Sequence, residues 1–341
     1  MPRVKILLAI SALLLSALAC VTIMGEEKRP IEVNDFATQA PGAPDPNPPS
    51  ADASCPALTD QIMQAATAGS GEVDDSSSTM DEEVLLATYE VSGDELSEPT
   101  FENVSSDLQD EQHDTATQAQ VWEFFTALIP ADQRTAIAEY AITTDGVDNT
   151  LASVSQTRTD PNAWSLQVDI ADTSDYYNLT YTLVHEFGHL LTLGPRQVPP
   201  SLAVFNNPDD DNIYLSEAGK CPDYFPGEGC ARPDSYINNF YNSFWTDIHD
   251  EWNQINLEED DDLYYEKLDA FYAKYQDQFV TDYAPTNPEE DIAESWTFFV
   301  LSPMPQDSSV ADEKVLFFYD YPELVGLRSQ ILGNLCGSFP Q

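Results

Sequence analysis

The sequence predicts an α+β fold with a small mixed or antiparallel sheet, on two observations. Between residues 84 and 170, short stretches alternate apolar and polar side chains, the period of a half-buried strand. From residue 180 onward, apolar side chains recur every three or four positions, the period of a helix laid on a core. At 341 residues the chain can hold one large domain or two small ones, with ample length for a core.

Taken in order, residues 1–20 read as an export signal: Arg3 and Lys5 form a charged head, Ile6–Ala19 an apolar stretch. Ala17-Leu-Ala-Cys20 resembles a bacterial lipobox, in which Cys20 is lipidated and becomes the new N-terminus. Read onward to Met24, the apolar run is 19 residues long, which leaves an uncleaved anchor as the alternative. Both readings predict an exported, cell-surface or periplasmic protein that meets the membrane only through its N-terminus. Residues 21–55 form a Pro-rich linker, with Ala40-Pro-Gly-Ala-Pro-Asp-Pro-Asn-Pro-Pro49 at its centre. The domain then spans 56–341. It opens with a short helical pattern at 58–66 and a loose Gly/Ser/Asp tract, and its ordered core starts near residue 83.

Residues 84–91 read as a strand, and 116–129 as a helix striped by Val121, Phe124, Phe125 and Leu128 and stopped by Pro130. Residues 135–143 and 151–158 read as paired strands joined at Asp145-Gly146. Trp164, Leu166, Val168 and Ile170 alternate along a further half-buried strand. After the apolar helix 181–193, Gly194-Pro195 opens a long acidic insertion that runs to about residue 260. Its Asp209-Asp-Asp-Asn212 and Glu258-Glu-Asp-Asp-Asp262 runs are weak candidates for Ca2+, because neither has the spacing of a known calcium loop. Helices are expected at 263–279, 291–301 and 322–335.

Sixty acidic residues against thirteen basic ones give a formal net charge of −47. The few basic residues are scattered, so nothing tracks a phosphate backbone, and nucleic acid and bare anionic lipid are excluded as partners. Composition leaves the oligomeric state open, and the peptide or protein substrate expected for this chain follows from the motifs at 181–193 and 283–296, not from charge. Apart from Cys20 there are four cysteines, an even count that suggests two disulfides in an oxidising compartment. Cys221 and Cys230 flank a turn-rich loop that closes easily, leaving Cys55 for Cys336.

The chemistry is concentrated in Tyr181-Thr-Leu-Val-His-Glu-Phe-Gly-His-Leu-Leu-Thr-Leu193. His185 and His189 lie one helical turn apart on one face, so both imidazoles can address one metal ion. Glu186 projects beside His185, within reach of a metal-bound water without ligating. This H-E-x-x-H arrangement supplies two ligands for one catalytic Zn2+ and a general base. A third ligand must come from elsewhere. Thr192 and Pro195 stand where the metzincin pattern needs Gly and His, and the thermolysin-type N-E-x-x-S-D is missing. His249 is the other histidine considered; alone on a Trp/Asp-rich helix, it reads as structural.

The stretch Tyr283-Ala-Pro-Thr-Asn-Pro-Glu-Glu-Asp-Ile-Ala-Glu-Ser-Trp296 is the better source. Asn287 reads as an N-cap with Pro288 at the first helical position, and Glu290 and Glu294 share one face. On helical grounds alone Glu290 either ligates the metal or completes a capping box with Asn287. Tyr283-x-x-Thr286-Asn287-x-x-Glu290-x-x-Ala293-Glu294, downstream of His185-Glu-Phe-Gly-His189, resembles the catalytic domain of anthrax lethal factor and the Pro-Pro endopeptidases. The resemblance covers roughly residues 180–196 and 280–300. It implies a zincin-like metallopeptidase with His185, His189 and Glu290 as zinc ligands and Glu186 as base. It further implies Tyr283 facing the scissile carbonyl oxygen and Glu294 supporting a ligand histidine. The acidic insertion and the disulfides depart from that family. The alternative is a surface binding lipoprotein that keeps the peptidase fold without turnover.

Overall fold

The structure, a computed structural model, describes residues 55–68, 83–146, 150–258 and 260–338. The export signal, Cys20 and the Pro-rich linker up to residue 54 lie outside the described residues. Helix α1 (Pro56–Ala68) comes first. The strand-rich part follows: β1 (Val84–Ser92), β2 (Glu95–Leu96), β3 (Thr100–Phe101), α2 (Gln109–Gln112), α3 (Thr115–Leu128), β4 (Ile137–Thr144), β5 (Ala152–Gln156) and β6 (Trp164–Asp169). The remainder is helical: α4 (Tyr176–Leu193), α5 (Leu202–Phe205), α6 (Asp211–Ala218), α7 (Tyr236–Phe244), α8 (His249–Ile255), α9 (Asp261–Lys274), α10 (Pro288–Leu301), α11 (Val310–Phe317) and α12 (Pro322–Ser338). The fold is thus α+β with a small mixed sheet.

Strand order is β2-β1-β4-β6-β5, with β3 also on β1. β1 runs antiparallel to β4, β4 parallel to β6, and β6 antiparallel to β5. The expected pairing of 135–143 with 151–158 is therefore wrong, because β6 lies between those strands. Its residues explain why. Of Trp164–Asp169 only Gln167 is not fully buried, so β6 is covered on both faces and belongs inside the sheet. The edge position falls to β5.

Helix α4 is hydrophobic nearly all round, as a helix inside a core must be. Asp175 caps it, accepting from the amides of Tyr177 and Asn178. It packs against β5, α1 and α10. Contact with α10 is close at Gly188, where a Cβ would stand 2.9 Å from Trp296 Cδ1 and 3.3 Å from Ala293 Cα. A mid-helix glycine costs about 1 kcal/mol against alanine; here it lets the two helices that carry the site approach.

The insertion folds into four helices rather than loops. Asp210 and Asp260, from the runs considered for Ca2+, serve instead as N-caps of α6 and α9. The expected helix 263–279 ends at Lys274. Both expected disulfides are present: Cys55–Cys336 with Cα atoms 5.7 Å apart, and Cys221–Cys230 at 5.4 Å. Such bonds form in oxidising compartments. Among the described residues, no helix is long and apolar enough to cross a membrane.

Candidate metal centre

Helices α4 and α10 meet so that His185, His189 and Glu290 converge, all three buried. His185 Nε2 lies 3.1 Å from Glu290 Oε2 and 3.1 Å from His189 Nε2; His189 Nε2 lies 3.3 Å from Glu290 Oε2. Two ring nitrogens and a carboxylate oxygen this close need a proton or a cation among them. Ligand atoms held tetrahedrally at about 2.0–2.2 Å from Zn2+ stand roughly 3.3–3.6 Å apart. The cage therefore fits a divalent ion after parting slightly. The buried His-His-Glu group is able to bind a metal ion.

Asn287 caps α10 without help from the Glu290 side chain. Its side chain accepts from the Glu290 amide at 2.7 Å, as an N-cap does. The Glu290 carboxylate does not turn back to complete a capping box but points at both imidazoles. Burial opposes its ionisation, yet the two histidines outweigh that and hold its pKa far below the usual carboxylate range. His249 stands outside the cage, its Nδ1 3.0 Å from Asn253 Nδ2.

Glu294 lies one turn beyond Glu290. Its Oε1 is 2.8 Å from His185 Nδ1, and its Oε2 accepts from Tyr181 Oη at 2.9 Å and Thr281 Oγ1 at 2.7 Å. That network keeps a proton on Nδ1, facing Glu294, and makes Nε2 the nitrogen that a metal ion would claim in place of its proton. Burial disfavours protonating His185 further, but Glu290 and Glu294 prevail and raise its pKa well above the usual value. Neither Tyr181 nor Thr281 was apparent from sequence as a partner of Glu294. Tyr181 sits four residues before His185, a helical spacing that could have marked it.

Glu186 is buried beside the cage. Desolvation raises its pKa to about 7, against the lowering effect of His189, His185 and the Val154 amide. Its Oε2 and the Tyr283 hydroxyl are both buried without a hydrogen-bond partner of normal geometry. Tyr283 Oη also stays protonated, because desolvation and then the charges of Glu290, Glu186 and Glu294 push its pKa well up. An acceptor and a donor thus await a third party.

Strand β5 borders this space. Leu151 C=O accepts from the Asp169 amide, and the Thr157 amide donates to Ala163 C=O, so the odd-numbered residues of this stretch bond to β6. The N–H and C=O groups of Ala152, Val154 and Gln156 consequently face outward, Val154 toward Glu186. Compared with known proteins, the chain matches no family model, no curated protein and no solved structure.

Proposed function

We propose that the protein is an extracytoplasmic zinc-dependent endopeptidase with a zincin-like catalytic domain, as the resemblance to the lethal factor and Pro-Pro endopeptidase domains implies. One observation carries this reading: the buried His185–His189–Glu290 cage is flanked by an acceptor oxygen, Glu186 Oε2, and a donor, the Tyr283 hydroxyl, neither of which has a hydrogen-bond partner of normal geometry. His185, His189 and Glu290 would hold the ion. When bound, Zn2+ supplies a Lewis acid that polarises a carbonyl and lowers the pKa of water to about 7.

The remaining steps belong to the chain. Outward N–H and C=O groups on β5 pair with an extended peptide, as an added strand does, and hold its backbone along the sheet edge. Glu186 accepts the proton of the attacking water at its free carboxylate oxygen and returns it to the leaving amine. Tyr283 Oη donates to the oxygen on which negative charge develops. Glu294 keeps His185 in the ligating tautomer. Membrane attachment through lipidated Cys20 belongs to the same proposal.

The deciding comparison is Glu186→Gln against wild type on a diverse peptide pool. Cleavage should fall by at least ~10³-fold, a loss of about 4 kcal/mol of transition-state stabilisation, with zinc content unchanged by metal analysis. A variant that cleaves at near wild-type rate removes Glu186 from the mechanism.

A further inference from the structure

The cage opens into a cavity of about 350 Å³, with His189 and Glu290 lining its metal end. Most of its other walls come from the acidic insertion. Tyr224 and Tyr241 stack with ring centroids 4.1 Å apart. His249 meets Tyr241 edge-on at 5.0 Å and stacks on Trp252 at 5.5 Å. Besides Glu290, three carboxylates line the cavity, Asp223 and the more deeply placed Glu228 and Glu289, and none of its lining residues is lysine or arginine.

Glu228 and Glu289 lack adequate compensation. Glu289 accepts one hydrogen bond, from Tyr224 Oη at 2.8 Å. Glu228 Oε2 is buried with no hydrogen-bond partner. Burial, with Glu289 nearby, lifts the Glu228 pKa to about 8, so the group is largely protonated near neutral pH until a cation beside it favours the ionised form. An apolar occupant would seal both carboxylates from water without a counter-charge, which is costly. A cationic side chain answers both features of the cavity. Its alkyl stem lies along aromatic faces, while its head meets π-density and carboxylate oxygens.

We propose that this cavity receives a lysine or arginine side chain of the bound peptide, making it the specificity pocket beside the metal centre. The inference rests on the peptidase reading, so binding and turnover are measured separately. Peptides with a single lysine at successive positions, each matched by a norleucine counterpart, are titrated against zinc-loaded Glu186→Gln protein by calorimetry. At one position lysine should bind about tenfold more tightly than norleucine. In Glu186→Gln/Glu228→Gln that preference should shrink to within about twofold, with an unchanged melting temperature showing that the double variant folds. Adding Tyr241→Leu to Glu186→Gln, which removes a ring and no charge, should reduce the preference in part. Lysine and norleucine binding alike at every position overturns the proposal, as does a preference that survives loss of the Glu228 charge. Incubation of the same peptides with wild type tests the other reading: if none is cut, the peptidase assignment falls, while the lysine preference still decides the pocket.

Discussion

Glu294 holds the His185 ring from the side away from Glu290 and His189, 2.8 Å from Nδ1. Three donors converge on its carboxylate, from Tyr181, Thr281 and His185. Glu294→Ala should leave the chain folded and weaken zinc binding by about 10–100-fold, measured by competition with a chromophoric chelator. Unchanged affinity would mean that the imidazole needs no support. Tyr283→Phe deletes a buried hydroxyl without a normal hydrogen-bond partner beside the cage and should lower kcat by roughly 10²–10³-fold, at constant melting temperature. An unaltered kcat would remove Tyr283 from the reaction. His185, Glu186 and His189 were legible in the sequence because their geometry is written in one helical turn. Glu290 was only half legible, since a capping side chain and a ligand have the same spacing from Asn287. The Tyr181–Glu294 bond spans 113 residues, and no local pattern fixes a contact at that distance.

Between elements, α10 is fixed on two sides. Gly188 admits it against α4, and on the far side Asp291 Oδ2 accepts from Trp245 Nε1 at 2.7 Å and pairs with Lys314 Nζ at 2.6 Å. Lys314 is fully buried, with the Phe279 ring centroid 4.0 Å from its Nζ. Removing one member of such a pair strands a charge in the core, one residue from Glu290. Lys314→Ala should therefore cost about 3–5 kcal/mol in denaturant unfolding. A loss below about 1 kcal/mol would show that the pair contributes little. Single elements were legible wherever the period was strong, as in α3, α4, α10 and α12. Sheet order was not, because β4 and β5 are neighbours in sequence while the doubly buried β6 separates them in space. Helix α7 was missed although Ile237, Phe240 and Phe244 recur at helical intervals, whereas the His249 segment was read as helical and is α8.

For the molecule as a whole, the acidic surplus and the cross-links matter most. Acidic residues outnumber basic ones thirteen to three across residues 194–260, yet several are structural: Asp210 and Asp260 cap helices, and Glu258 pairs with Lys267. The disulfides were legible because two cysteines flank a short turn, which leaves one partner for each of the others. Cys55–Cys336 closes a loop of 281 residues, and the chain-entropy relation assigns such a loop about 5.6 kcal/mol, against about 2.6 for the short one. Replacing Cys55 and Cys336 together by serine should lower the melting temperature far more than replacing Cys221 and Cys230. Equal effects would show that loop length does not set their contribution.

That long-range bond also decides how the protein responds to force. It draws the beginning of α1 and the end of α12 to one spot, so the chain enters and leaves the domain at nearly the same place. Tension applied between the two ends is borne by sulfur, along a path that bypasses both α4 and α10. Stretching the chain by its ends therefore leaves the ligand cage undistorted.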